Sequence, residues 1–164
     1  MNPILAGGLL IGVLCGAWTF VIGVTGWYKD PAMANVFFLV IVIEIIGLLW
    51  TLRKTAALGR TYSGQVVAGT LASMVAAAII FVSSLAFTLL AFPTFFQDVE
   101  PMRRGVLKDT GLSAADIDTV IKGMTPLSEA STGAMYTVMT GIVASAIIGI
   151  WVRAQRAHSE AARA

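Results

Sequence analysis

The sequence is poor in charge, in cysteine and in histidine. Only 12% of its 164 residues are charged, against roughly 25% in soluble domains. A single cysteine, Cys15, excludes a disulfide within the chain, and one histidine leaves no cluster for a metal ion. The sequence also lacks a phosphate-binding glycine loop, a Ser-His-Asp set and paired carboxylates. We therefore expect neither an enzyme nor a cofactor or metal site.

Apolar residues are abundant instead, at 57% of the chain with a mean hydropathy of +0.85. The charged residues collect in short regions and leave apolar runs that can cross about 30 Å of hydrocarbon. Lipid offers no partner to backbone N–H and C=O groups, so each run must be a helix. We predict one all-α domain, a four-helix transmembrane bundle with spans at residues 4–27, 34–52, 66–92 and 130–152.

The first span has an alternative interpretation as a signal peptide. Ala-Met-Ala at residues 32–34 is similar to a cleavage site, but the start "MNP" lacks the positive charge of such peptides. We expect the span to be retained.

Basic residues are distributed unevenly among the connections between the spans. The loop 93–129 carries four basic and six acidic residues. The positive-inside rule then predicts cytoplasmic termini, an outer loop at 93–129 and a cytoplasmic tail at 153–164. The same basic residues could contact anionic lipid headgroups. Those between spans two and three and in the tail are Arg53, Lys54, Arg60, Arg153, Arg156 and Arg163.

The outer loop contains a helix signature, "LSAADIDTVIKG". Ser113 is placed as N-cap, Asp116 follows as the acid of a capping box, and Gly123 can end the helix. We predict a short amphipathic helix here. Its apolar stripe needs cover from the membrane surface, the outer end of the bundle or a partner, and consists of Ile117, Val120 and Ile121.

One acidic residue, Glu44, stands inside the apolar run of residues 36–50. A charge at the centre of a span costs about 2.5–3.5 kcal/mol. The twelve Val, Ile, Leu and Phe residues of this run return about 0.3–0.6 kcal/mol each, or roughly 4–7 kcal/mol together. The span therefore inserts with Glu44 in it.

Glu44 has no basic partner in the membrane, because no predicted span contains Lys, Arg or His. We expect its carboxyl to be protonated and hydrogen-bonded. Helical spacing places Gly47 and Thr51 on the same, inward face. A structural acid, a contact with a partner subunit and a proton- or cation-carrying group all remain open. The candidate hydroxyl partners are those of Ser83, Ser84, Thr137 and Thr140.

Small residues recur at every fourth position in three of the spans. They let helices approach closely in lipid, either inside the bundle or between subunits. We call each such series a ladder. We expect most ladders to pack within the bundle and at least one to contact another protein. The ladders are Gly8, Gly12 and Gly16 in span one; Gly69, Ser73 and Ala77 in span three; and Gly133, Thr137, Gly141, Ser145 and Gly149 in span four.

Several short motifs, each weak when taken alone, follow one another along the chain. They are the opening "ILAGGLLIGVLCG", the basic "LRK" at 52–54, "GRTYSGQVVAGT" at 59–70, "FPTFFQD" and "LSAADID…GMTP". In this order they resemble a bacterial four-pass membrane family, that of domain of unknown function 4199. The resemblance implies an inner-membrane protein, and it carries over no catalytic residues.

These observations leave two functional hypotheses. The first is a structural or accessory subunit that docks through small-residue faces onto itself or other membrane subunits. The sequence favours it, because four spans with one acid and no detectable inverted repeat make a poor stand-alone transporter. The second is a component of a small transporter or channel that uses Glu44 as its protonatable group. Nucleic acid is not an expected partner, since the basic residues lie beside apolar segments rather than in a patch.

Overall fold

The computed structural model describes residues 2–161, except for the side chains of Ala34 and of residues 153–161. Within this range the chain forms helices and their connections and no strand. Four stretches are long and apolar enough to cross a membrane: Pro3–Thr25, Pro31–Ala57, Tyr62–Ala91 and Pro126–Val152. The predicted all-α fold with four such helices is confirmed. The α-helices are α1 (Pro3–Thr25), α2 (Leu39–Ala57), α3 (Tyr62–Ala86), α4 (Phe95–Asp109), α5 (Ala114–Gly123) and α6 (Pro126–Ala161).

Local sequence sets the ends of these helices. The Asn2 side chain accepts a hydrogen bond from the Ile4 N–H. Pro3 lies in the first turn, where a backbone N–H would have no partner within the helix. α1 ends at Gly26, whose φ of 73° is left-handed. α3 continues as one π-helical turn, in which the Phe92 N–H donates to the Phe87 carbonyl at 2.7 Å. Pro93 has no N–H and stops it there.

The four long helices form a bundle in which α1 and α6 each pack against both α2 and α3. We call its two ends the basic end, at the α2–α3 connection of residues 58–61, and the capped end, where α4 and α5 lie. The buried apolar core lies mainly toward the basic end and includes Ile11, Leu48, Leu52, Ala68, Ala72 and Ala76.

A buried polar contact joins α2 to α3 at the basic end. Gln65 is fully buried, and its side-chain amide lies 2.6 Å from the Thr55 hydroxyl. Thr55 also donates to the Leu52 carbonyl at 3.1 Å. The contact satisfies groups that lipid could not, so it fixes the two helices together where they enter the connection.

The ladder of α1 faces α3. A methyl group built on Gly8 would lie 2.5 Å from the Ala72 carbonyl oxygen, and one on Gly12 would lie 2.8 Å from the Ile79 Cβ. One turn on, the Gly16 position meets Ser83 at 3.0 Å. The three glycines therefore bring α1 against the backbone of α3.

The ladder of α6 faces α3 in the same way. Ser145 packs on Gly69, and Ser73 packs on Gly141, so small residues of each helix receive hydroxyls of the other. Gly149 lies under the Tyr62 ring. Gly133 differs, because no atom lies within 4 Å of the place where its Cβ would be. Among the described residues, the close contacts of both ladders are made inside the bundle.

The loop between α3 and α6 holds two helices rather than one. α5 forms where the capping signature predicted it, and Ser113 Oγ accepts from the Asp116 N–H at 3.3 Å. α4 was missed, although Phe95, Val99, Met102 and Val106 recur in it at helical spacing around Pro101. α4 packs against α5 and covers part of its apolar stripe, in which Ile117 is buried. Arg104 pairs with Asp118 at 2.6 Å, and Val99 and Ile121 line one small pocket.

The ladder contacts predict that Gly8→Ala destabilises the bundle. The new methyl group would collide with backbone, and such overpacking costs about 1–3 kcal/mol. The free energy of unfolding can be followed by circular dichroism while the protein is titrated with a denaturing detergent. Gly133→Ala is the matched control, since its methyl group has room and alanine favours helix. Equal transition midpoints for the two variants would contradict the packing described.

Candidate functional site

Glu44 lies on α2 where the tightly packed part of the bundle ends. Its side chain is 4% exposed. The Ser73 hydroxyl of α3 donates to Glu44 Oε1 at 3.3 Å, and Gly141 of α6 leaves the space in which the pair meets. The acid is therefore held by a hydrogen bond from an uncharged donor on a neighbouring helix.

Two of the four hydroxyls expected beside Glu44 make other bonds, and the other two, those of Ser84 and Thr140, line a cavity with Glu44. Thr137 donates to the Gly133 carbonyl at 3.0 Å, and Ser83 donates to the Ile80 carbonyl at 3.0 Å. Sequence analysis had placed Ser73 only in a packing ladder. Ser73 can bond Glu44 because it packs on Gly141, which lets its hydroxyl come close to the neighbouring helices. The facing small residues of α3 and α6 were the feature of the sequence that could have indicated this bond.

The inward face predicted for α2 divides at Glu44. Toward the basic end, Gly47 packs on Ile11, and Thr51 packs on Gly7 while donating to the Gly47 carbonyl at 2.8 Å. Both residues are buried in helix contacts. Toward the capped end, the same face opens into a cavity.

The cavity has a volume of about 700 Å³ and extends from Glu44 to α4. It is lined by all four long helices and by α4. Thr137 and Thr140 of α6 line it with Glu44, as do Cys15 of α1 and Ser84 of α3. Its polar lining is dominated by hydroxyls: those of Thr19, Tyr28, Ser84, Thr88, Thr132, Tyr136, Thr137 and Thr140.

The helices separate here because α2 has no small residue before Gly47. None of the described side chains of residues 31–43 is buried, although those of Glu44, Leu48 and Leu52 are. Residues 37–43 are all bulky, and Phe37 and Phe38 are 51% and 60% exposed. Without a glycine before Gly47, α2 cannot approach α6 as α3 does.

An ion pair stands at the end of the cavity farthest from Glu44. Arg103 of α4 pairs with Glu129 at the start of α6, and both residues line the cavity. The Arg103 guanidinium also reaches the Met124 sulfur at 2.9 Å. Phe95, Val99 and Met102 line the same end, so one face of α4 covers part of the opening.

Asp98 joins α4 to the connection between α1 and α2 through a hydrogen bond and an ion pair. One of its oxygens, Oδ2, is approached by Tyr28 Oη at 3.0 Å, Lys29 Nζ at 3.1 Å and Thr94 Oγ1 at 3.1 Å. Lys29 and Tyr28 hold the pKa of the Asp98 carboxyl below its ordinary value of 3.8. The carboxylate form therefore favours the observed position of α4.

The basic residues considered for lipid contact lie at the opposite end. Arg53 stands over the Trp151 ring at 5.2 Å and Lys54 over the Trp50 ring at 4.1 Å. Arg60 is exposed in the α2–α3 connection. The side chains of Arg153 and Arg156 lie outside the described part of the chain, as does Arg163.

Asp98→Asn is predicted to loosen the first turns of α4, because Lys29 loses its ion pair. Amide hydrogen exchange in residues 95–103, measured by mass spectrometry, should be faster than in the native protein. Because the folded pKa of Asp98 is lowered, its stabilisation is complete above the ordinary value of 3.8 and is lost as pH falls through the folded pKa. Acid should therefore loosen the native α4, and leave the variant unchanged after correction for intrinsic rates.

Asp109→Asn, an exposed acid at the other end of α4, is the matched control and should behave as the native protein does. Native-like exchange in Asp98→Asn would contradict the proposed fastening.

The described residues bring together no group of three or more His, Cys, Asp or Glu side chains that could hold a metal ion. Comparison with curated proteins and with solved structures finds no match. Comparison with protein families finds one described as protein of unknown function (DUF4199), which matches residues 7–154. This match takes in all four long helices, the cavity and both helices at the capped end, and it confirms the resemblance seen in the sequence. The chain belongs to the DUF4199 family.

Proposed function

We propose that this protein is a component of a small membrane transporter or channel in which Glu44 is the protonatable working group. One observation carries the proposal: the buried Glu44 carboxyl stands at the end of a cavity of about 700 Å³. An acid that served only to join helices would be enclosed by them, as Thr55 and Gln65 are at the basic end. Acidic residues inside membrane segments commonly mark ion or substrate pathways.

The cavity has the composition that such a pathway needs. Its hydroxyls can replace water around a polar solute, and its apolar residues form the rest of the wall. The packed half of the bundle, from Gly47 to the basic end, closes the other side. The arrangement therefore supports access to Glu44 from the capped end and not from the basic end.

The structure gives less support to an accessory subunit that docks through its small-residue faces. The ladders of α1 and α6 contact α3 within the chain, which leaves Gly133 as the ladder glycine without a close neighbour. Gly133 lines the cavity. Docking onto a larger complex would need another surface.

We further propose that the protein resides in a bacterial cytoplasmic membrane with the basic end inside. Arg53, Lys54 and Arg60 support this orientation through the positive-inside rule. The cavity and α4 would then face the outer side, with the Arg103–Glu129 pair in the cavity lining.

Reconstituted vesicles provide the test of this function. Liposomes that contain the native protein should lose an imposed pH gradient faster than empty liposomes, with a dye inside reporting pH and the membrane voltage clamped. Glu44→Gln should lower this rate to that of empty liposomes, because the amide cannot carry a proton. Glu100→Gln is the matched control, since Glu100 lies on α4, bonded to Arg104 and away from the cavity. An unchanged rate in Glu44→Gln would exclude the proposed role.

A further inference from the structure

We infer that the cavity binds a lipophilic monovalent cation, with the Glu44 carboxylate as its counter-ion; this inference rests on the proposed function and names its substrate class. Three features of the cavity support this ligand: an acid without a basic partner among the described residues, aromatic residues in its lining, and lining residues that are exposed on the outside of the bundle.

The charge balance of the cavity selects a cation. Among the described residues that line it, those with ordinarily charged side chains are Glu44, Arg103 and Glu129. Arg103 and Glu129 pair with each other at the far end. A carboxylate at Glu44 would therefore lack a positive partner from the protein, and a bound cation would supply it. An anion would find its one basic partner already engaged.

The wall of the cavity selects a lipophilic cation over a hydrated ion. Aromatic faces attract organic cations, and the attraction strengthens where water is excluded. The volume of about 700 Å³ also falls within the range of roughly 300–1,000 Å³ typical of sites for drug-sized molecules. A bare metal ion would leave most of that space unfilled. The aromatic lining residues are Tyr28, Phe37, Phe38, Phe87, Phe95 and Tyr136.

Two residues of the cavity lining are also exposed on the outside of the bundle. They are Phe38, which directly precedes α2, and Tyr136 of α6, and each is 60% exposed. Both lie in segments long and apolar enough to cross a membrane. A ligand dissolved in the outer half of the bilayer could therefore reach the cavity between them, which suits a molecule that is both apolar and charged.

Binding of the cation exchanges it for a proton. The carboxyl O–H bond of Glu44 breaks, and the proton leaves to water at the capped end. The carboxylate then pairs with the cation, so the net charge of the site is unchanged. Binding should tighten as pH rises. α3 contributes the Ser73 and Ser84 hydroxyls here, and the titratable or charged groups that face the cavity with Glu44 are Cys15 of α1, Tyr28, Arg103 of α4, and Glu129 and Tyr136 of α6.

Tetraphenylphosphonium and tetraphenylborate test the inference, because they share size and shape and differ in the sign of their charge. Isothermal titration of the purified native protein should show saturable binding of the phosphonium, with one proton released per cation. Glu44→Gln should weaken that binding about tenfold or more, as expected when one partner of a buried charge pair is removed. Glu100→Gln should bind as the native protein does.

A second variant guards against misfolding. Glu44→Gln keeps an oxygen that can accept from Ser73, and Glu44→Asp keeps the charge, so Glu44→Asp should retain phosphonium binding. Equal affinity of the native protein and Glu44→Gln would overturn the inference, and so would saturable binding of the borate. If neither ion binds while the Glu44-dependent loss of the pH gradient persists, the substrate class is wrong and the proposed function stands. If that dependence is also absent, both fail.

Discussion

The close approach of α1 and α6 to α3 is the contact on which the rest of this structure depends. In lipid, apolar side chains gain little by meeting each other rather than acyl chains, so helices associate where small residues admit tight packing. Gly8, Gly12 and Gly141 provide that condition, and each meets backbone or a short side chain of α3. Where the small residues of α2 run out, before Gly47, the helices separate and leave the cavity.

The boundary between the packed and the open half explains where the polar groups stand. Thr55 and Gln65 are buried in the packed half and bond each other, so they can contribute to stability but have no access to solute. Glu44 lies at the boundary, with Ser73 on the packed side and the cavity on the other. The same acid is thereby both hydrogen-bonded within the protein and part of the cavity lining, a combination that neither half alone would provide.

Sequence periodicity predicted the elements well because hydropathy and helix caps act locally. The four long helices and α5 follow from apolar run length and from Ser113. The partner of Glu44 did not follow, since the choice among hydroxyls at one depth depends on helix rotation, which packing on Gly141 decides. α4 was also missed, although its apolar residues recur at helical spacing, and its place could not be predicted because its contacts with Tyr28 and Lys29 come from distant sequence. The cavity depends on where helices fail to pack, and the lack of small residues before Gly47 indicates this only when the facing helices are known.

Cysteine accessibility at the depth of Glu44 tests the central claim most directly. In a Cys15→Ser background, Thr140→Cys would line the cavity, whereas Met139→Cys, its neighbour in sequence, would face away, where Met139 is 54% exposed. A charged, membrane-impermeant thiol reagent should label Thr140→Cys in the reconstituted protein when added at the capped end, and should leave Met139→Cys unlabelled. If Thr140→Cys is as unreactive as Met139→Cys, water does not reach the depth of Glu44 and the account is wrong.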